Sequence, residues 1–505
     1  MSEKTILGVD IGTQGTKVAL FSEAGSCLAT AFRKSKLRQA REGEVEEDPE
    51  FQVDTVCQAI KSCMTLTHHE PQPVAAIALS GQMAGILGVN QDGRAVTPYD
   101  SWLDTRCAPY IARMNQSAGR EIVVKTGGPV SFNHGPKILW WMGQRREIFR
   151  SIKAFVQPGG YAAMRLCGLT AKEAFVDKTY LHFSGFADNR QGCWDASLCR
   201  QFDVEMDLLP RIVNPWEIVG ELTSSMARRC GLRAGVPVIA GCGDTAASFL
   251  ASGATREGIC IDVAGTASVF AATTRAFRPD ERDRILSCGQ AATPGLWHPY
   301  AYINGGGMNL EWFRGCLGAN GPRPFSRKGF GDLDRRAALL SPNELPFFLP
   351  HLGGRVSPSW PHLRGAWAGL TWTHTPFHLW RSMLEAVALE YGIYKRTLLR
   401  LYPGLRLTEV RVVGGGEKSE LWNQIKADVL ASRVIQINRT EGAPLGAALL
   451  AAHGVGLIED LDKTARQWIA INRVFRPSRR LSSHYQKRLS QYEDLLKILN
   501  AWSER

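Results

Sequence analysis

The stretch VPVIAGCGDTAASFLASGATREGICIDVAGTASV, Val236 to Val269, decides how the 505-residue chain is read. VPVIAG has the look of a short buried strand, and Gly241 and Gly243 let the backbone turn tightly before Asp244 opens a helix over Thr245 to Leu250. Asp244 therefore sits at a strand's carboxyl end. A second apolar strand follows at GICIDVA, and Gly265-Thr266-Ala267-Ser268 then offers small residues and hydroxyls where a backbone can approach a phosphate closely. The stretch reads as a hinge, near Gly253, that carries half an active site. Two other readings attach to the same residues. Asp at a helix start is a common N-cap, and Gly241 to Ala246 fits the G-x-G-x-x-A of a dinucleotide fingerprint with Asp262 as its ribose-binding acid. That fingerprint wants its acid after a full crossover helix, whereas Asp262 lies inside an apolar run that continues into another glycine turn.

A chain of this length exceeds what one hydrophobic core usually serves, so two large domains are expected, with the boundary at the hinge: 1–253 and 254–505. Hydrophobic residues at 44% and charged residues at 21% describe an ordinary globular protein, and no apolar run approaches the ~18 residues of a membrane span. The N-terminal MSEKTILGVDIGT is neither a secretory nor a transit segment, so the chain is expected in the cytoplasm. Twelve cysteines without a C-x-x-C pair read as reduced thiols rather than a zinc or disulfide framework. The net charge of +12 suits anionic substrates. Its densest runs, RKSKLRQAR from Arg33 and RPSRR from Arg476, lack interleaved aromatics, so no nucleic-acid partner is expected.

The chain opens on TILGVD, a strand, followed by a glycine turn, a strand, a Glu-Ala-Gly turn and another strand, which is a β-meander. The turn Gly12-Thr13-Gln14-Gly15-Thr16-Lys17 joins two strands, which rules out a Walker loop, although its amides and hydroxyls still suit phosphate. Asp48-Pro49-Glu50 begins a helix running through Met64, and VAAIALS is the next buried strand, with Gln82 and Met83 just past its end. GILGVN is read as a hairpin strand. Trp102-Leu103-Asp104-Thr105-Arg106 places polar groups beside a bulky aromatic, a cluster suited to a polyol. KILWWMGQRREIF reads as one helix. Past the hinge, YAYINGG runs into a helix at Met308, Pro322 to Gly354 is loop-rich, GAWAGLTW is a strand, and a long helix spans Pro376 to Leu401. TEVRVVGGG then ends a strand in glycines before the helix SELWNQIKADVLA, and a small-residue helix runs from Ala443 to Ala452.

Both halves thus show strands running into glycines with an acid or hydroxyl at the tip: Asp10 with Thr13, then Gly265-Thr266, Gly307 and Gly415. Phosphoryl transfer needs a cation to neutralise charge, donors around the phosphates and a carboxylate to take the acceptor's proton. Asp10, the glycine turns and Asp244 supply those types.

Several motifs resemble the FGGY family of carbohydrate kinases in order and spacing: DIGTQGTK from Asp10, SGQMAG from Ser80, WLDTR from Trp102, KILW from Lys137, GCGDTAA from Gly241, GTASV from Gly265 and VVGGGEKSELW from Val412. Gly365-x-Trp367-x-Gly369-Leu370, followed by His378-Leu379-x-x-Ser382-Met383-Leu384-Glu385, is similar to that family's C-terminal signature at every constrained position. The resemblance implies an α/β fold of two actin-like (ribonuclease H-like) domains with the active site in the cleft between them, ATP and Mg2+ as cofactors, and a sugar or polyol acceptor. It further implies Asp244 as general base and Asp10 as the magnesium-side acid. Thr13, Gln14 and Lys17 match the phosphate turn, and Gly265, Thr266, Gly307, Glu311, Gly415 and Ser419 fall where the family holds the nucleotide. Gln82, Met83, Ala84, Trp102 and Asp104, with Asp244, match the sugar pocket. Within the family the sugar motifs are most similar to xylulokinases, which implies a ketopentose such as xylulose. Alternatives are ribulose, L-xylulose, erythritol or glycerol, and further off an actin-like ATPase switch or a nicotinamide-dependent oxidoreductase. The chain departs from the xylulokinase pattern at Ala84 (usually His) and Leu103 (usually Asn), and from the N-terminal signature at His134 (usually a small hydroxyl). A homodimer is the remaining partner expectation.

Overall fold

The computed structural model describes residues 4–66, 73–318, 329–439 and 441–504. Two sheets dominate it. The first is built from β1 (Thr5–Gly12), β2 (Gly15–Ser22), β3 (Cys27–Lys34), β4 (Val74–Gly81), β5 (Ile218–Glu221) and β6 (Pro237–Gly243), in the order β5-β6-β4-β1-β2-β3. The second contains β7 (Ile259–Ala264), β8 (Ser268–Ala272), β9 (Ser287–Gln290), β10 (Trp297–Ile303), β11 (Glu409–Val413), β12 (Val434–Asn438) and β13 (Ala470–Phe475), in the order β9-β10-β8-β7-β11-β12-β13. Each sheet has the same heart. An antiparallel meander (β1-β2-β3, or β7-β8-β10) is extended on the side of its first strand by two parallel strands, β4 and β6 in one case and β11 and β12 in the other. This doubled α/β architecture is the actin-like fold that the sequence resemblance implies.

Helices cover the sheets where capping and apolar spacing place them. Among the helices, on the sheets or on one another, are α1 (Pro49–Thr65), α2 (His134–Gln144), α3 (Asp244–Ala251), α4 (Gly306–Gly318), α5 (Gly329–Ala338), α6 (Pro376–Leu401), α7 (Glu420–Leu430), α8 (Ala443–Gly454) and α9 (Arg479–Ser503). Helix α1 starts where Asp48 accepts hydrogen bonds from the Glu50 and Phe51 amides and Pro49 takes the first position. It then buries Val53, Val56 and Ile60 against Leu7, Val9 and Leu79 of the first sheet. A separate core forms around α6 and α7, where Leu384, Tyr391, Trp422 and Ile425 meet Val410 and Val412 of the second sheet.

The join between the halves is interleaved. Helix α8, from the second half of the chain, packs Leu445, Ala448 and Ala452 on Ile6, Ala78 and Ile239 of the first sheet. Helix α3, from the first half, sends Phe249 onto Ile259, Val413 and Ile435 of the second. Burying a large side chain such as Leu445 or Phe249 contributes roughly 1.5–3 kcal/mol, so each half is anchored to a helix supplied by the other. The two helices cross in backbone contact: a Cβ on Gly446 would lie 2.0 Å from the Ala247 carbonyl oxygen, which only glycine permits.

The structure corrects several readings. GILGVN does turn back at Gln91-Asp92-Gly93, where Val89 bridges Ala95 and Ile86 bridges Asp100, but its regular strand pairing is with a distant segment: Leu87–Val89 runs antiparallel to Ala154–Val156. KILWWMGQRREIF breaks at Arg145 into α2 and a second helix, Arg146–Ser151. Of GAWAGLTW only Ala366–Ala368 is strand. Within the stretch read as loop, residues 322–328 lie outside the described residues, and α5 follows them. Asp262 binds no ribose: it is buried in β7, accepting a hydrogen bond from Tyr391 and paired with Lys426. No helix among the described residues is long and apolar enough to cross a membrane.

Candidate active site

Asp10 stands on β1 two residues before the strand's last paired position, opposite Lys17 on β2 and beside Ser80 on β4. Its carboxylate accepts a hydrogen bond from the Ser80 hydroxyl at 2.8 Å. Asp244 begins α3 at the end of β6, so the parallel order of β1, β4 and β6 delivers both acids to one end of the sheet. The N-cap reading of Asp244 does not hold. Gly243 occupies the cap, and the Asp244 carboxylate accepts from the amide and hydroxyl of the next residue, Thr245, leaving its other oxygen free for the cleft.

Burial pushes Asp244 up to about 6, held back by the two Thr245 donors. Asp10 is pushed up to about 7, by burial first and by the Asp244 charge second, with Ser80 and Lys17 opposing. Two acids driven up together in a cleft are the arrangement a proton-transfer site uses.

Two cavities gather most of the other expected residues, and Asp244 lines one of them. The smaller, about 310 Å³, has Asp244 in its wall and takes Gln82, Met83, Ala84, Thr13 and Trp102 from the first half and Gln290, His298, Tyr300 and Tyr302 from the second. Trp102 is steadied by a hydrogen bond from its indole nitrogen to the Thr13 hydroxyl, 2.9 Å. Gln82 donates to Glu47 at 2.9 Å and keeps its Oε1 without a partner. His134 does not enter the cavity; it bonds the Met83 carbonyl from behind, and burial pushes its imidazole down to about 4. None of the described residues lining this cavity is a lysine or an arginine.

The larger cavity, about 710 Å³, lies in the second half and gathers Gly265, Thr266, Gly307, Glu311, Gly415 and Ser419. Its floor is aromatic, with Trp380 and Trp422, and its far wall is Asp334. Asp334 accepts from the Trp380 indole at 2.8 Å and from the Ser419 hydroxyl at 2.6 Å, tying α5, α6 and the start of α7 together. The amides of Gly307 and Met308 at the start of α4 are taken up by the carbonyls of Gly265 and Thr266. They therefore fix the turn rather than present donors to a ligand. The β7–β8 hairpin gives Thr266 to the larger cavity and Val269 to the smaller, so a single turn separates the two.

Four expected site residues line neither cavity: Asp10, placed beside Ser80 above, and three that lie elsewhere. Asp104 lines neither cavity: it is 2% exposed, bonded to the Val45 and Arg106 amides and paired with the Arg106 guanidinium at 2.8 Å. Its role is to hold the Trp102 turn, together with the buried Lys137 ammonium that donates to the Ser101 and Asp104 carbonyls. Lys17 pairs with Glu441 across the interdomain join, and Gln14 is exposed at the hairpin tip. Sequence reasoning missed Asp334, Trp380 and Trp422 because the first lies in a segment read as loop and the tryptophans sit on helices where a large apolar residue signals core. It missed His182, Gln290 and Tyr300 because no motif surrounds them.

Comparison with known proteins agrees with this fold. Family models described as the FGGY family of carbohydrate kinases match residues 5–251 for the N-terminal domain and 262–455 for the C-terminal domain. The chain is 25% identical to a xylulose kinase of Bacillus subtilis (strain 168), over 97% of this chain and 96% of that one. It is 26% identical to a gluconokinase of the same organism, over 90% and 89%. A crystal structure of xylulose kinase from Rhodospirillum rubrum superposes with a TM-score of 0.90 at 25% identity, covering 99% of this chain and all of that one.

Proposed function

The chain belongs to the FGGY family of carbohydrate kinases, and from that premise we propose that it transfers the γ-phosphoryl group of ATP to a primary hydroxyl of an uncharged ketopentose or polyol, xylulose being the first candidate. The observation that carries this reading is Asp244, a carboxylate pushed up to about 6, in the wall of a cavity that no lysine or arginine among the described residues lines. A sugar acid would bring a carboxylate that nothing there neutralises, at a cost in desolvation that a neutral polyol does not meet. The larger cavity has the size and the aromatic floor for a nucleotide base, and its glycines at 265, 307 and 415 let phosphates approach the backbone.

At neutral pH Asp244 is largely ionised and takes the proton of the acceptor hydroxyl as the oxygen attacks. Gln82 and Trp102 orient the polyol, and the β7–β8 turn leads the phosphates toward it. Among the described residues no group of three or more His, Cys, Asp or Glu could hold a metal ion. Magnesium needs only one or two carboxylates beside a nucleotide's phosphates, and Asp10 fits that role; when bound, the ion neutralises charge on the transferring phosphate. We take 1–253 and 254–505 as the two bodies that close on substrate, the interleaved α3 and α8 forming the hinge. Scattering that shows no compaction with both ligands present contradicts that closure.

An ATP-consumption screen over D-xylulose, L-xylulose, ribulose, erythritol, glycerol and gluconate tests the reading. Turnover is expected with a ketopentose and not with gluconate. Best turnover on gluconate, or ATP hydrolysis indifferent to any acceptor, overturns it. Ala84→His, which restores a polar group to the wall, is expected to raise D-xylulose activity relative to the other acceptors.

A further inference from the structure

The smaller cavity holds an unusual concentration of unpaired polar atoms. Gln82 Oε1, His182 Nδ1 and Gln290 Oε1 are each buried without a hydrogen-bond partner, and all three side chains line this one cavity. The Thr179 backbone also acts on the His182 ring as a hydrogen-bonding group that opposes the effect of burial. Buried polar atoms are ordinarily satisfied, so their clustering marks a place where a ligand supplies the missing bonds.

His182 comes from the first half yet rests on the second. It lies on the short 3-10 helix Lys178–Phe183, whose Thr179 hydroxyl accepts the amide of Gly243, the residue before Asp244, at 3.0 Å. Its position is thereby tied to that of the catalytic acid. The ring lies edge-on to Tyr300, bonds the Tyr300 hydroxyl through Nε2 at 3.0 Å, and covers Gly289 so closely that a Cβ there would come within 2.8 Å of it. Burial, with His134 second, pushes the imidazole down to about 3. The ring is therefore neutral, with one N–H and one lone pair. An apolar ring of similar size fills the same slot without leaving a nitrogen unpaired. Gln290 stands next to Gly289 on the edge strand β9, so the two halves bring an imidazole and an amide to the same wall.

We propose that His182 and Gln290 are specificity-determining residues that hydrogen-bond acceptor hydroxyls remote from the transferring oxygen, in place of the polar group that Ala84 lacks. The proposal rests on the reading of this cavity as the polyol site. A polyol carries a hydroxyl on nearly every carbon, each able to donate and accept. The two amide oxygens take hydroxyl protons, and the imidazole Nδ1 takes the remaining partner in whichever tautomer Tyr300 selects. Gln290 and Tyr300 belong to the second half and already meet His182 across this wall, so acceptor choice draws on both halves at once.

The test is steady-state kinetics of wild type, His182→Ala, Gln290→Ala and Tyr300→Phe on the best ketopentose and on glycerol, with melting temperature and the KM for ATP measured in parallel. His182→Ala and Gln290→Ala are each expected to raise the ketopentose KM about ten-fold, the loss of one buried hydrogen bond. The KM for ATP and kcat are expected to stay within about two-fold, and any turnover of glycerol, too short to reach both groups, should suffer less. Tyr300→Phe is expected to act in the same direction by freeing the His182 ring. If His182→Ala does not fold, Gln290→Ala decides alone. Ketopentose KM values within about two-fold of an active wild type overturn the proposal, as does a KM for ATP that rises in parallel. A wild type that phosphorylates no polyol overturns instead the reading of the cavity.

Discussion

Asp10 and Asp262 occupy the same place in two copies of one design. Each lies on the first strand of a meander, two residues before that strand's last pairing in the hairpin, and each strand is flanked by a parallel neighbour. Their surroundings differ in one respect. Asp262 faces the Lys426 ammonium and the Tyr391 hydroxyl and is sealed from solvent. Asp10 has a Ser80 hydroxyl and the Asp244 carboxylate for company, and it rises to about 7. The same backbone position is an ion-paired strut where a cation neutralises it, and an acid pushed up in pKa, the place we propose for the reaction, where a second acid stands beside it. Duplicated topology therefore does not carry function; the neighbour does.

The largest expected effect is on turnover. Asp244→Asn removes the proposed proton acceptor without changing shape and should lower kcat by ~10²–10⁴ while ATP still binds; near-normal kcat removes Asp244 from the mechanism. On the structural side, Lys426→Met strands a buried carboxylate and should cost about 3–5 kcal/mol in denaturant unfolding. Adding Asp262→Leu to that variant should recover much of the loss, since an apolar pair of similar volume replaces a buried ion pair at little cost. A double variant no more stable than the single one breaks the idea that Asp262 is only a strut.

A smaller effect separates the two positions by pH. Asp10 and Asp244 titrate near 7 and 6 when folded but near their usual 3.8 when unfolded, so between those values the folded protein holds protons the unfolded chain has released. Wild-type stability from this source is greatest at the acid end and falls as pH rises through that window. In Asp10→Asn/Asp244→Asn the slope disappears. The melting temperature of that variant should overtake wild type progressively between about pH 4 and about pH 7; a constant gap refutes the assignment. Turnover runs the other way, rising as Asp244 ionises.

Much of this was legible in the sequence, for reasons of backbone chemistry. Strands that end in glycines, such as TEVRVVGGG, and an acid after a strand, as at Asp244, are local signals that survive without knowledge of the fold. Six residues assigned to the nucleotide, Gly265 to Ser419, do converge on one cavity. Side-chain direction was not legible. Asp104 beside Trp102 reads the same whether it faces a cavity or, as here, the Arg106 guanidinium. Lys17 reads as a phosphate ligand until Glu441, more than four hundred residues away in the chain, comes alongside it. The interleaving of α3 and α8 was hidden because helix periodicity reports that a face is buried, not which sheet buries it.

The most direct test compares Asp10→Asn and Asp262→Asn side by side, measuring kcat on the best acceptor and melting temperature for each. The account predicts a crossing: Asp10→Asn keeps or gains thermal stability and loses turnover, whereas Asp262→Asn, which leaves Lys426 uncompensated, melts lower while its folded fraction turns over near the wild-type rate. If both variants lose stability to the same degree with turnover intact, or both lose turnover with stability intact, the two positions are alike and the neighbour does not set the role.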